Sequence, residues 1–339
     1  MSDPSTADEP IGLWSHGFAD GANGVRLHYV EQRPESSGAH PLVVLLHGFP
    51  EFWWSWRLQI PALVAAGYHV VAPDLRGYNL SEKPAAVEEY AAELLTEDIA
   101  RLIEHHHHDR AVIIGHDWGG AIAWQLAMDY PELTERLVVL NAPHPQRMAE
   151  AFGGRPNVRQ IGRSWYMFVF QIPRLPERWL AVNDYERIGL IFRDTAGHPE
   201  AFPPEVLERY RKAASQPGAL TGAINYYRAA VRARARESQS RLRQTLSSID
   251  PALGRLLGPT TNSNHVPASE SPPISAPTLL IWGERDTALG KELTEGMDPL
   301  FSGPFETLYL PDCGHWVQQE CPEDVNRLLL EFLDRYPLN

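Results

Sequence analysis

The residues that point most directly to chemistry are Gly115-His116-Asp117-Trp118-Gly119-Gly120, which follow a β-branched run and open a helical stretch. A strand that turns sharply into a helix needs small residues on both sides, so that the turn can close and the central side chain can project at the top of a sheet. Gly115 and Gly119 meet that need. The central residue is a carboxylate, Asp117, and not Ser, Cys or Thr. A carboxylate nucleophile attacks saturated carbon and leaves an ester. Two later segments supply the partners that hydrolysis of such an ester requires. Trp282-Gly283-Glu284-Arg285-Asp286 follows one apolar run, and Cys313-Gly314-His315-Trp316 follows another, Thr307 to Leu310. Asp286 would orient His315, and His315 would act as base toward water. The 29 positions from Asp286 to His315 leave room for one helix and one strand.

A second feature is His47-Gly48-Phe49-Pro50, a turn after the apolar run Leu42 to Leu46. A loop there can approach Asp117. The backbone amides of Phe49 and Trp118 would then aim two donors at one point and form an oxyanion hole. Asn141 also follows a strand-like run, but an amide cannot serve as the orienting carboxylate, which supports Asp286 in that role. Cys313 reads as a small packed residue, since nothing near it in sequence would lower a thiol pKa.

These residues must be positioned by short strands that end in loops. Leu42 to Leu46, His69 to Ala72, Ala111 to Ile114, Leu137 to Leu140 and Thr278 to Trp282 are apolar runs of the kind buried on both faces of a parallel sheet. Helical patterns at Tyr90 to Glu104 and Gly119 to Tyr130 lie between them, so the fold class is α/β with a mostly parallel sheet flanked by helices. Val25 to Glu31, preceded by turn formers, predicts an N-terminal hairpin. The alternation stops over 143–276, where aromatic and Arg-rich helical patterns predict a lid inserted into a core made of 17–142 and 277–339. Within the lid, 247–276 is rich in Ser, Pro, Asn and Thr and reads as a loop excursion. Residues 1–16 read as a flexible leader.

Composition excludes several classes. The 339 residues carry 30 Lys and Arg against 43 Asp and Glu, a net charge of −13, which disfavours nucleic acid and other polyanions. Hydrophobic residues at 43% and charged residues at 22% match a folded globular chain. No apolar run reaches the roughly 18 residues of a membrane span, and the polar, acidic start lacks a signal pattern, so a cytoplasmic location is expected. With two cysteines, Cys313 and Cys321, no disulfide framework is expected and a reducing compartment fits.

The order nucleophile, acid, histidine is that of α/β-hydrolases, and the chain resembles the epoxide hydrolases of that fold over about 17–333. The resemblance is carried by His47-Gly48-Phe49-Pro50-Glu51, Trp56-Arg57, Ala72-Pro73-Asp74-Leu75-Arg76-Gly77-Tyr78 and the Asp117 block, which dehalogenases partly share. The discriminating residues lie in the lid. There, Tyr166 precedes Phe170-Gln171-Ile172-Pro173 by four positions, and Asn225-Tyr226-Tyr227-Arg228 resembles the family's second lid-tyrosine site. The resemblance implies that Tyr166 and Tyr227 bind the epoxide oxygen, as two phenol donors suit the alkoxide that ring opening creates. Tyr226, on another helix face, reads as packing. Trp53, Trp165 and Phe168, with Trp118, are expected to line an apolar pocket. The partners implied are a small apolar epoxide and water, in a monomer or homodimer, with no cofactor and no metal.

Haloalkane dehalogenases are the alternative, since they share the Asp nucleophile, the Trp after it and the His base. Their halide needs N–H donors, whereas this sequence has Phe49 after the first His-Gly and a phenol pair in the lid. Fluoroacetate dehalogenases clamp a carboxylate with arginines after the nucleophile, where this chain has Trp118 and Ala121. Attack of a carboxylate on an ester would give an anhydride, which disfavours esterase chemistry. A decayed binding protein of this fold would lack part of the set, yet Asp117, Asp286 and His315 are all present. His105-His106-His107-His108 reads as a solvated helix edge, and the run Arg228, Arg232, Arg234, Arg236, Arg241 and Arg243 as a salt-bridged helix face.

Overall fold

The computed structural model describes residues 14–153, 157–249 and 272–337. Eight strands form one sheet: β1 (Ser15–Asp20), β2 (Arg26–Gln32), β3 (Leu42–Leu46), β4 (His69–Pro73), β5 (Ala111–His116), β6 (Thr134–Leu140), β7 (Thr278–Gly283) and β8 (Phe305–Leu310). Their order across the sheet is β1-β2-β4-β3-β5-β6-β7-β8. β1 and β2 form the predicted antiparallel hairpin, β2 runs antiparallel to β4, and every pairing from β4 to β8 is parallel. Every residue of β3, β4, β5 and β7 is buried. Continuous apolar runs allow this, because helices cover both faces and leave no solvent side for polar residues. The core helices are α1 (Ile60–Ala65), α2 (Ala92–His105) and α3 (Trp118–Asp129).

Between β6 and β7 the chain leaves the sheet for seven described helices: α4 (Pro145–Phe152), α5 (Val158–Arg163), α6 (Trp165–Val169), α7 (Leu175–Leu180), α8 (Val182–Thr195), α9 (Pro204–Ser215) and α10 (Ala219–Ile249). This is the inserted lid. α10 continues to Ile249, and of the expected loop excursion 247–276, residues 250–271 lie outside the described residues. The lid is tied to the core by polar bonds at buried points. The Tyr226 hydroxyl donates to the Arg76 carbonyl at 2.8 Å, so this tyrosine packs as expected and also bridges the two layers. The Glu320 carboxylate accepts from Gly197 N at 2.7 Å and His198 N at 3.0 Å in the lid, and from Gly314 N and Trp316 N, both at 2.9 Å, beside His315. Arg228 pairs with Glu177, and Arg232 and Arg236 both pair with Glu88, which bears out the salt-bridged face for those three.

Four expectations need correction. Between Asp286 and His315 there is no α-helix but two 3-10 turns, Lys291–Thr294 and Asp298–Leu300, before β8. Gly296 at φ +64° and Pro299 break the spacing that a helix would need. β1 begins at Ser15, and Trp14 already packs on Trp53 and Trp54, so the leader ends earlier than 16. Cys313 and Cys321 are joined in a disulfide with their Cα atoms 6.4 Å apart. The short helix Val317–Glu320 doubles the chain back and brings together two residues that are eight positions apart. The histidine run is not wholly solvated: His106 is buried at 8% exposure beside His69 at 1%, while His105 and His107 are exposed. α2 turns at its end to lay one ring of the run against the sheet. No described helix is long and apolar enough to cross a membrane.

Candidate active site

Asp117 sits between β5 and α3 with φ +49° and ψ −117°, a conformation that costs a side-chain residue energy and recurs at functional turns. Gly115 and Gly119 are required by close packing: a Cβ on either would run into backbone, of Gly119 or of Leu46 respectively. The flanking small residues therefore do what their spacing predicts, closing the turn so that Asp117 projects. Gly48 is equally constrained, since a Cβ there would lie 2.7 Å from Asp117 Oδ1. The loop after β3 thus lies directly against the carboxylate.

The Phe49 amide donates to Asp117 Oδ1 at 2.8 Å. Trp118 is the first residue of α3, so its amide is one of the N-terminal N–H groups that have no partner within the helix. One carboxylate oxygen is therefore held by the loop amide and the other, Oδ2, faces His315 Nε2 at 3.7 Å. The opposite ring nitrogen, His315 Nδ1, lies 2.7 Å from Asp286 Oδ2. Asp286 is itself pinned: Oδ1 accepts from Ala288 N at 2.7 Å and Leu289 N at 2.8 Å, and Oδ2 accepts from Asn141 Nδ2 at 2.7 Å. Asp117, His315 and Asp286 are thus brought into one chain of contacts by the ends of β5, β7 and β8.

Electrostatics follow from this geometry. Burial alone would depress the His315 pKa, but the charge and hydrogen bond of Asp286, with Asp117 and Glu51 beyond, raise it to about 9. Burial pushes Asp286 upward, and His315, the Leu289 amide and Asn141 outweigh it and hold the carboxyl below its ordinary range. At neutral pH this holds His315 as an imidazolium beside the Asp286 carboxylate.

The lid tyrosines close the site from the other side. The rings of Tyr166 and Tyr227 lie 5.8 Å apart, and Tyr227 packs edge-on against both residues whose amides flank Asp117, Phe49 at 5.4 Å and Trp118 at 5.0 Å. Burial, then the charges of Asp117 and Asp286, push the Tyr166 phenol well up; burial, then Tyr166 and Asp117, do the same to Tyr227. Both remain protonated donors.

The expected pocket residues do not join this group. Trp53 is 1% exposed and packs with Trp14, His16, Phe52 and Trp54 beneath the N-terminal strand. Trp165 and Phe168 are 57% and 56% exposed on the outer face of α6. At helical spacing the face carrying Tyr166 and Phe170 turns inward and leaves these two outside. Phe170, which sequence reasoning gave no role, packs on Phe49, Tyr166 and Tyr227.

A buried network behind the site was also missed. Glu51 Oε2 lies 2.8 Å from His116 Nδ1 and accepts from Gly48 N at 2.9 Å, while Oε1 accepts from Gln318 Nε2 at 3.0 Å and Gln319 Nε2 at 2.8 Å. His116 Nε2 reaches the His315 carbonyl at 2.9 Å. One carboxylate therefore ties together the Phe49 loop, the turn of Asp117 and the loop of His315. Both residues stand in the blocks that carry the resemblance, and a buried ionisable pair is the signal their polarity amid apolar runs offered.

Comparison with known proteins gives the family of the chain. Residues 41–185 match the family model of the α/β hydrolase fold. The chain is 37% identical over 311 residues to YfhM of Bacillus subtilis, an AB hydrolase superfamily protein, covering 92% of this chain and 95% of that one. It is 36% identical to mouse epoxide hydrolase 3, over 92% of this chain and 75% of the relative. Among solved structures, an epoxide hydrolase of Bacillus megaterium in complex with an inhibitor aligns with a TM-score of 0.74 at 28% identity, covering 94% of this chain and all of that one. Epoxide hydrolase A of Mycobacterium thermoresistibile aligns with a TM-score of 0.71 at 31% identity, covering 96% and 100%.

Proposed function

The chain belongs to the epoxide hydrolases of the α/β-hydrolase fold, and on that premise we propose that it opens a small apolar epoxide with the Asp117 carboxylate and hydrolyses the resulting ester to a vicinal diol. What supports this reading is that the Tyr227 ring packs on Phe49 and Trp118 and the Tyr166 ring packs on Tyr227, which brings two lid phenols to the loop and turn that hold Asp117, while the Phe49 amide donates to Asp117 Oδ1. A halide leaves as a stable anion and needs no proton, whereas the alkoxide of an opened epoxide does, so two lid phenols do not favour the dehalogenase alternative.

In the first half, Asp117 Oδ2 forms a bond to an epoxide carbon as the ring C–O bond breaks, and one phenol gives its proton to the leaving oxygen. The imidazolium of His315 then returns a proton to the phenolate. Ester formation removes the Asp117 charge that helped hold that proton, which favours the transfer. His315 is now neutral and can act as base. In the second half it takes a proton from water, the hydroxide adds to the Asp117 carbonyl carbon, and the Phe49 and Trp118 amides receive the oxyanion. Collapse expels the diol, whose alkoxide takes the proton left on the carboxyl group. The resting charges are restored, and the balance is one epoxide and one water to one diol. No step needs a cofactor or metal. Part of the same reading is a monomer or homodimer in the cytoplasm.

The test is intact mass spectrometry of the His315→Gln variant after exposure to epoxides and, separately, to chloroalkanes. A mass gain of one whole epoxide, lost when Asp117→Asn is added, is the expected result. An adduct from chloroalkanes alone, with halide released, would transfer the assignment to dehalogenation.

A further inference from the structure

At the opposite end of the sheet from Asp117 lies a second cluster with chemistry of its own. His69 is the first residue of β4 and pairs with Leu42 at the start of β3, whereas Gly115, beside Asp117, pairs with Leu46 at the end of β3. The C-terminal turn of α2 lays His106 over this edge, and Glu31 reaches it from β2. Glu31 Oε2 is 2.7 Å from His69 Nε2 and 3.8 Å from His106 Nδ1, and one donor atom from each of the three residues lies within 4.8 Å of the others. His69 is 1% and His106 8% exposed. The His106 Nε2 and His69 Nδ1 atoms are buried without a hydrogen-bond partner, and the other His106 nitrogen faces Glu31 beyond hydrogen-bonding distance. A buried imidazole that spends neither nitrogen on a hydrogen bond is costly to keep unless something else occupies it.

We propose that Glu31, His69 and His106 form a binding site for a divalent transition-metal ion of the zinc class, remote from the active site, which clamps β2, β4 and the end of α2. Two imidazoles and a carboxylate are a borderline N₂O donor set that suits zinc and not calcium or magnesium. Bonds of about 2.0–2.1 Å at tetrahedral angles place ligand atoms roughly 3.3 Å apart. The observed 2.7 and 3.8 Å bracket that value and the third pair lies within 4.8 Å, so the ligands have to shift to close on an ion, and Glu31 Oε2 has to give up the Arg33 guanidinium that it holds at 3.3 Å. The fourth position stays open to water or to His108, whose ring lies 5.9 Å from that of His69.

The experiment uses the untagged full chain, stripped with chelator and kept free of reductant so that Cys313 and Cys321 offer no thiolate. Zinc is titrated by calorimetry, and cobalt in parallel by its visible absorption, which is intense only in a four- or five-coordinate site. The expected result is one equivalent bound at micromolar concentration, a cobalt spectrum, and a Tm raised by about 2–5 °C at a hundredfold excess over Kd. Glu31→Gln and His106→Gln should each weaken binding at least tenfold, while His107→Asn, on the exposed member of the run, should leave it unchanged. Wild type that binds no zinc below about 0.1 mM, or Glu31→Gln that binds as tightly as wild type, would overturn the proposal. So would loss of the ion in His107→Asn, since that result would mean adventitious binding by the exposed run. Glu31 lies at a partly exposed strand end, so its variant is expected to fold, and its Tm in chelator reports that directly.

Discussion

Replacing Asp286 by asparagine should stop the catalytic cycle at the ester. Asp286 Oδ1 is fixed by two amides, of Ala288 and Leu289, and these select the carbonyl oxygen of an asparagine side chain at that place. The new amide nitrogen must then take the place of Oδ2, where it faces Asn141 Nδ2 and His315 Nδ1. Donor would meet donor on both sides. His315 can relieve the clash only by presenting a bare Nδ1 and carrying its proton on Nε2, the atom that must accept one from water. The loss has two parts. The gap between the ordinary imidazole value of 6.5 and about 9 is roughly 3 kcal/mol of imidazolium stabilisation, of which Asp286 supplies the largest favourable share. That alone is worth about a hundredfold in the step that forms the imidazolium, and the wrong tautomer extends it toward about 10⁴. Asp286→Asn should therefore lower kcat by about 10²–10⁴ with the loss concentrated in ester hydrolysis. Rapid quenching after mixing with styrene oxide, followed by intact mass spectrometry, should find most of the enzyme as the adduct, with circular dichroism unchanged. A kcat within threefold of wild type, or a large loss with no ester accumulating, would refute the assignment of Asp286 and His315 to the second half-reaction.

Other expectations rest on single contacts. Tyr166→Phe and Tyr227→Phe should each slow ester formation by about 10²–10³ and the double variant more, with hydrolysis of a preformed ester little changed, as stopped-flow tryptophan fluorescence would report. Gly48→Ala puts a methyl group 2.7 Å from Asp117 Oδ1 and should cost at least about a hundredfold in kcat while leaving Tm within a few degrees, measured by steady-state assay and calorimetry. Glu51→Gln sets an amide among donors at His116, Gly48, Gln318 and Gln319, and should destabilise the fold by about 3–5 kcal/mol in urea titration, since it breaks a buried pair. His315 titrates at about 9 in the folded protein against 6.5 when free, so its contribution to stability is complete below pH 6.5 and is lost as the pH rises through 9. Denaturation curves between pH 6 and 9.5 should show wild type losing up to about 3 kcal/mol relative to His315→Gln, and parallel curves for the two proteins would contradict this.

The sequence by itself determined the elements that local chemistry dictates. Continuous apolar runs such as Leu42–Leu46 can only be strands buried on both faces, and the glycines around Asp117 permit a turn that bulkier residues would block. Residue types also limited the reaction: a carboxylate at that turn, a later acid and a later histidine leave few chemistries, and two tyrosines in family-like segments narrow them further. What tertiary structure decided is everything that depends on residues far apart in the chain. The inward face of α6 selects Tyr166 and Phe170 and turns Trp165 and Phe168 to solvent, and Trp53 is claimed by Trp14 across the N-terminal strand. Asn141, dismissed as an acid by its chemistry, is placed by β6 to hold the acid that β7 supplies. Glu51 and His116 are 65 positions apart, and Glu51 and Gln319 are 268. Periodicity reports which face of an element is buried but carries no information about which distant element covers it, so a buried carboxylate at the junction of three loops is visible only once the sheet has brought their ends together.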